Sequence, residues 1–355
     1  RHALVHATEW LDAKLRQDGR LVLGDVSSRE KVALDRGPVK LSLLGIRRGD
    51  AIELTLTATQ NARSIRVSKL VAAQEWVGGV ALLSDGPARS GGSSNATFAF
   101  RGFRLAGDLV RWHSDRSFGP ILWTQYTLSE RRLRVQAQFA PVGPHHDAEL
   151  WMADDDPSGW RKVAATPVAA LSRTATFTID DWDVQQSHRY QIRTTWRGKD
   201  FAWSGTVRRA PDIEQPIKLA CFSCDNGYLF PIPEMVTQVR RQNPDLLFFA
   251  GDQIYESYGG FGVARRAETS VAMLDYLRKF YQFGWTWRDL MRDRPTVILP
   301  DDHDVFQGNL WGHGGRRLPE NSAPNDWAAG GYLMPGDWVN AVERTQVGHL
   351  PDPAV

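Results

Sequence analysis

Only two cysteines occur in the 355 residues, Cys221 and Cys224, both in "ACFSCDNG". At that spacing they cannot staple a chain of this length, so a disulfide framework is excluded. The spacing is that of a thioredoxin-type pair, but no second redox feature accompanies it, and two packed, inert thiols are the plainer expectation. No apolar run reaches the roughly 20 residues that cross a bilayer, so no membrane span is expected. Neither sign of charge dominates: 43 basic and 41 acidic residues leave a net charge of +2. That balance gives no electrostatic footprint for nucleic acid or an anionic membrane, and a negatively charged substrate must be held locally. The opening "RHALVHATEW" lacks the apolar core of a signal peptide and begins with Arg1. It reads as a processed protein or a fragment, which leaves localisation open.

What is present is an ordinary globular composition, 42% hydrophobic and 24% charged, in a chain long enough for two or three domains. The first 210 or so residues alternate as half-buried strands do. "AIELTLTAT" places Ile52, Leu54, Leu56 and Ala58 on one face, and "LRVQAQFA" does the same with Leu133, Val135, Ala137 and Phe139. From about Gly119, "TATFTI" and "RYQIRTTW" continue the pattern between turn-formers, the spacing of a small antiparallel sandwich of immunoglobulin or fibronectin type III kind. Trp123, Trp151, Trp182 and Trp196 fall in strand-like runs and are expected in its core.

After "RRAPDIEQPIK" the period changes. "IKLACFS" and "DLLFFA" read as strands, the second apolar enough for burial on both faces, and "PEMVTQVRRQN" between them as a helix with Pro233 in its first turn. The pair makes a β-α-β unit, since a parallel connection needs a crossover of this length. Two helical stretches follow, "SVAMLDYLRKFYQF" with Val271, Leu274, Leu277 and Tyr281 at helical spacing, and "WTWRDLMRD"; then comes the strand of "TVILPDDHD". The expected architecture is multidomain: an N-terminal all-β module over 1–116, a fibronectin type III or Ig-like sandwich over 117–210, and an α/β domain over 211–355.

In open α/β sheets ligands bind beyond the carboxyl ends of the strands. All three ends are polar here: Cys224, Asp225 and Asn226; Asp252 and Tyr255; Asp301, Asp302, His303 and Asp304. Singly, each is explained by a turn, a packed aromatic or a solvated acidic loop. Together they predict a shared pocket, in which gathered carboxylates repel unless a cation lies among them.

The combination "FSCDNG", "AGDQIYE" and "PDDHDVFQGN" resembles the PhoD-like alkaline phosphatases of the calcineurin-like metallophosphoesterase superfamily, from about Ile217 to the chain end. The resemblance implies a metallophosphoesterase-type α/β domain and a phosphomonoesterase or phosphodiesterase that uses a metal-activated hydroxide. It implies a binuclear or trinuclear centre held by Cys224, Asp252, Tyr255 and Asp302, with Asp252 bridging. His303 faces the phosphate as the catalytic group beside Asp252; Asn226, Arg316 and Arg317 are substrate contacts. Fe³⁺ and Ca²⁺ are the implied ions, while ligand types alone leave Zn²⁺ and Mn²⁺ open. A periplasmic or secreted location and a preceding fibronectin-like domain are implied in the same way.

The chain departs from that pattern near its end. The superfamily's later histidine motifs are reduced to His349 in "VGHLPDP", which reads as a C-terminally truncated domain or a degenerate relative. The alternative is a non-catalytic protein whose β domains, among 14 tryptophans, bind carbohydrate or another surface.

Overall fold

Alternating apolar positions build the β-structure that precedes the site. The computed structural model describes residues 11–75, 79–80, 82, 99–111, 119–143, 146–153, 159–212, 214–224, 230–257, 263–307, 316–319 and 330–352. The chain divides into two compact units. The first holds β1 (Ala13–Leu15), β2 (Leu21–Leu23), β3 (Val26–Ser27), β4 (Lys40–Arg48), β5 (Ala51–Gln60) and β6 (Arg63–Ala72). These strands make two antiparallel sheets of three. Ile52, Leu54, Leu56 and Ala58 of β5 are buried, as their alternation predicts, against Leu21, Leu23 and Ile65.

The second unit begins with seven antiparallel strands: β7 (Ile121–Ser129), β8 (Arg132–Phe139), β9 (Asp147–Ala153), β10 (Trp160–Pro167), β11 (Thr174–Ile179), β12 (His188–Trp196) and β13 (Lys199–Val207). A sheet ordered β11-β8-β7 and one ordered β10-β9-β12-β13 share one core. Leu133, Val135, Ala137 and Phe139 enter it from the first sheet, Leu150, Tyr190 and Ile192 from the second. Trp123 and Trp182 are buried as expected. Trp151 and Trp196 are not core residues: both are half-buried, with the guanidinium carbons of Arg193 and Arg197 lying 4.1 and 4.6 Å from their ring centroids. Trp151 lies on the outer face of its sheet, diagonally across from Arg193, and Trp196, at the end of β12, is covered by the arginine that follows it.

The remaining elements are β14 (Leu219–Phe222), α1 (Pro233–Gln242), β15 (Leu246–Ala250), α2 (Thr269–Met291), β16 (Thr296–Leu299) and α3 (Gly336–Val347). The three strands form a parallel sheet with β15 in the middle. Three expectations are corrected. The two helical stretches are one 23-residue helix, α2, because Gly284 between them faces the ring of Trp123, where a Cβ would come within 2.4 Å. The buried stripe of α2 runs through Met273, Tyr276, Phe280, Phe283 and Trp287, whereas Val271 and Leu274 are exposed. Aromatic volume on the neighbouring face outcompetes the aliphatic stripe for the core. Finally, β15 is not buried on both faces: Leu247 and Phe249 lie under α2, while Leu246, Phe248 and Ala250 are half-buried among the described residues. Only one face of the sheet is packed by α2 here.

The sandwich and this sheet share packing. Leu122 and Trp123 of β7 belong to the core of α2, where Trp123 meets Phe280 edge-on at 5.6 Å. At the far end of α3, the side-chain amides of Gln125 and Gln136 each donate to the Thr345 carbonyl at 2.9 Å, and the Thr127 hydroxyl donates to the carbonyl of His349. These bonds satisfy carbonyls that a helix C-terminus leaves without partners. No described helix is long and apolar enough to cross a membrane.

His349 is fully buried, and its Nε2 donates to the carbonyl of Thr296 at 2.7 Å. Thr296 opens β16, so the histidine sits at the opposite end of that strand from Asp302. Burial pushes its pKa down to about 4. The folded state thus favours neutral imidazole relative to an unfolded value near 6.5, and the stabilisation is present above pH 6.5 and lost as pH falls toward 4. In chemical denaturation across this window, His349→Gln should show a pH slope shallower than the unaltered protein by up to about 1.4 kcal/mol per pH unit. Equal slopes would mean that the ring is not held neutral by burial.

Candidate metal centre

Strand ends in a parallel sheet emerge along one edge, about 4.8 Å apart. Cys224 follows β14, Asp252 to Glu256 follow β15, and Asp301 to Asp304 follow β16. The backbone turns sharply at each point: Cys224 and Asp252 lie in the left-handed region at φ 58° and 55°, and Gly251 at φ 88°. Glycine is required at 251, since a Cβ there would lie 2.6 Å from Cβ of Asp301. The Cys224 N–H donates to the Gly251 carbonyl at 3.1 Å, tying the first end to the second. Asp304, with no exposed surface, ties the second to the third: its Oδ2 accepts the N–H groups of Asp252 and Asp301, both at 2.9 Å.

So held, the ligand atoms of Asp252, Asp302 and His303 all lie within 4.8 Å of one another. The Tyr255 hydroxyl hydrogen-bonds with Cys224 and Asp252, and its ring lies 4.4 Å from that of His303, centroid to centroid. Cys224, Asp252, Tyr255, Asp302 and His303 are therefore brought to one place. Both cysteines are exposed free thiols, which corrects the expectation of packed, inert ones. They sit on the half-open face and at the tip of an edge strand, where nothing among the described residues buries them. Asn226 lies outside the described residues. Arg316 and Arg317 are exposed, their segment paired by backbone bonds with Tyr332, and are not among the residues gathered.

The charges conflict in the way the sequence foretells. Tyr255 is pushed well above the usual phenol range by burial and then by hydrogen bonds to Cys224 and Asp252. Asp302 is pushed up to about 6, chiefly by burial, with Asp252 and Asp301 adding repulsion. Asp304 is pushed up to about 7 by burial. Oδ1 of Asp252 is buried without a hydrogen-bond partner among the described residues. A buried, unsatisfied carboxylate oxygen on a residue grouped with a second carboxylate and an imidazole could take a cation, which would supply the missing partner and offset the repulsion. The donor set, two carboxylates and an imidazole beside a phenol and a thiol, could hold a metal ion.

Two further residues belong to the site. Glu256, 4% exposed, accepts from Nδ1 of His303 at 2.7 Å and pairs with Arg265 at 2.7 Å. Arg265 also donates to the Phe306 carbonyl at 3.1 Å. With Nδ1 donating to a carboxylate, chemistry at His303 falls to Nε2. Glu256 stands in the same "AGDQIYE" run that marked Asp252 and Tyr255. Its place in the loop that follows β15, beside Asp252 and Tyr255, is the signal that could have singled it out; its partners lie 9 and 47 positions away, beyond any local pattern.

No family model matches this chain, and no curated protein matches it. Among solved structures it is similar to a structure of PhoD, at 14% identity and TM-score 0.47, covering 67% of this chain and 47% of that one. Pectate lyase Pel3 from Pectobacterium carotovorum matches over 29% of this chain and 33% of its own, at 14% identity and TM-score 0.20. A β-glucuronidase from Ruminococcus gnavus covers 50% and 28%, at 11% identity and TM-score 0.19. The chain spans about half the length of the PhoD chain. Likeness at these levels leaves function to the residues of the site.

The Glu256 contact raises the pKa of His303. Glu256→Gln removes the charge while keeping an acceptor, so His303 should titrate at lower pH. An NMR titration of the imidazole in metal-free protein reads this directly, and an unmoved midpoint would show that Glu256 does not set the protonation of His303.

Proposed function

We propose that the chain is a metal-dependent phosphoester hydrolase. The carrying observation is the meeting of Asp252, Asp302 and His303 within 4.8 Å, with a buried, partnerless oxygen on Asp252. Cys224, Asp252, Tyr255 and Asp302 would hold the cations, Asp252 standing between Tyr255 and Asp302. Thiolate and phenolate donors favour Fe³⁺ on the Cys224 and Tyr255 side, and oxygen donors a harder divalent ion such as Ca²⁺ on the other. A bound metal supplies Lewis-acid stabilisation of charge on a phosphoryl group.

The chain's own residues do the rest. His303, its Nδ1 N–H held by the Glu256 carboxylate and its pKa raised by that contact, would as imidazolium donate its Nε2 proton to a leaving oxygen, and Arg265, paired with Glu256, holds that carboxylate in place. Asp304 holds the loops of Asp252 and Asp302 at fixed spacing, so little reorganisation accompanies reaction. Asn226, Arg316 and Arg317 stay in the proposal as phosphate contacts, on the resemblance and on the fit of guanidinium to phosphate. The partition into 1–116, 117–210 and 211–355, the fibronectin type III reading of the seven-stranded sandwich, and a periplasmic or secreted location belong to the same proposal. The carbohydrate-binding alternative gains nothing from Trp151 and Trp196, whose rings are stacked by arginines and are not offered bare to sugar.

Purified protein is expected to hydrolyse p-nitrophenyl phosphate or its bis-ester only with metal bound, and to lose activity to a chelator. Asp252→Asn should lower kcat/KM by about 100-fold or more, since it removes a ligand charge at the centre of the cluster. Equal rates for the variant and the unaltered protein would sink the proposal, and the ratio of the two substrates decides between monoester and diester chemistry.

A further inference from the structure

A chain of buried amides and hydroxyls leads from the site into the β-sandwich. Gln253, directly after Asp252 and 2% exposed, donates from Nε2 to the Leu299 carbonyl at 2.9 Å and to Oε1 of Gln346 at 3.0 Å. Gln346, fully buried in the last turn of α3, donates from its own Nε2 to the Tyr276 hydroxyl at 3.0 Å. The Thr345 hydroxyl donates to the Val342 carbonyl at 2.7 Å, so the Tyr276 hydroxyl is the donor in its 2.8 Å bond to Thr345 Oγ1. The carbonyl of Thr345 then accepts from Gln125 and Gln136, and Oε1 of Gln136 accepts from Thr176 at 2.9 Å. The Gln253 amide also approaches Oδ2 of Asp304 at 3.5 Å, and the Gln125 amide the Gln346 carbonyl at 3.5 Å, so the two amides at the ends of the chain are shared between acceptors while the Tyr276 and Thr345 hydroxyls have their directions fixed by their neighbours.

We infer that Gln346 is a positioning residue of the metal site, and that the sandwich, by gripping the end of α3, acts on the site through it. The inference rests on the metal reading given above. Asp252 sits at φ 55°, a conformation that a non-glycine residue keeps only when its surroundings over-determine it. The Gln253 side chain supplies that constraint on one side, bridging the end of β16 at Leu299 to α3. Asp304 supplies it on the other, through the N–H of Asp252. Without Gln346 the Gln253 amide loses its shorter side-chain acceptor and keeps only the Leu299 carbonyl and a 3.5 Å approach to Oδ2 of Asp304, an oxygen already taken by two backbone N–H groups; shortening that approach favours displacement of the turn that carries Asp252. A ligand set displaced by a fraction of an ångström binds metal more weakly without ceasing to be a fold.

The experiment measures Mn²⁺ affinity by the loss of its free EPR signal, together with thermal unfolding of the metal-free protein. Gln346→Met fills the same space without the amide and should weaken Mn²⁺ binding by roughly ten-fold. Tyr276→Phe, which removes only the hydroxyl at the next link, should weaken it in the same direction and carries the test if Gln346→Met does not fold. Affinities within about two-fold of the unaltered protein in the folded variants, with or without a lowered Tm, would make the network structural only and overturn the inference while leaving the metal reading intact. An unaltered protein that binds no Mn²⁺, Zn²⁺, Fe³⁺ or Ca²⁺ would overturn the metal reading and this inference with it.

Discussion

One buried carboxylate sets the geometry on which the site depends. Asp304 has no exposed surface, and its Oδ2 accepts the N–H groups of Asp252 and Asp301, which open two different strand-end loops. Burying a carboxylate is unfavourable, and burial indeed pushes this one up to about 7. It persists because two backbone donors converge on one oxygen, a pairing that apolar replacement would leave with two orphaned N–H groups. The same contact requires Gly251, because the loops that Asp304 draws together leave no room for a Cβ against Asp301. Site geometry here is set by a residue that need not touch the cation.

The sandwich contributes to that geometry as structure. Trp123 leaves its strand to pack over Gly284 in the middle of α2, and the cross-strand pair Gln125 and Gln136 closes the last turn of α3. A strand buried on both faces needs both faces covered. β7 meets that need by lending one face to the sandwich core and the other to the helices. The amide nitrogens of Gln125 and Gln136 explain why glutamine, rather than valine or leucine, occupies positions buried this deeply: they face the carbonyl of Thr345 at the end of α3.

What could be read from the sequence was local. The alternation of Ile52 to Ala58 and of Leu133 to Phe139 identified strands and their buried faces, and the polar residues after three apolar runs marked the strand ends that converge. What could not be read depended on partners distant in the chain. Val271 and Leu274 share helical spacing with Leu277, yet the buried face of α2 is chosen by Trp123, more than a hundred residues earlier. Glu256 carried no signal of its own, because Arg265 and His303, which pair with it, reach it only through the fold. His349 looked like a remnant of a ligand motif, and its neighbour proves to be the carbonyl of Thr296.

The carboxylates around the site divide by how their charge is met, and the division assigns their roles. Glu256 has its countercharges built in, Arg265 on one oxygen and His303 on the other. Asp304 is met on Oδ2 by backbone N–H dipoles, while its Oδ1, like that of Asp252, is buried without a hydrogen-bond partner among the described residues. Asp252 and Asp302 have no lysine or arginine partner among the described residues; Asp252 keeps one oxygen buried without any partner, and Asp302 accepts only the N–H of the residue that follows it. The countercharges built in at Glu256 have no lysine or arginine counterpart at Asp252 and Asp302 among the described residues, so a cation from outside the chain would offset the repulsion between these two carboxylates. A phenol, a thiol and an imidazole lie beside them, donors that such a cation could share.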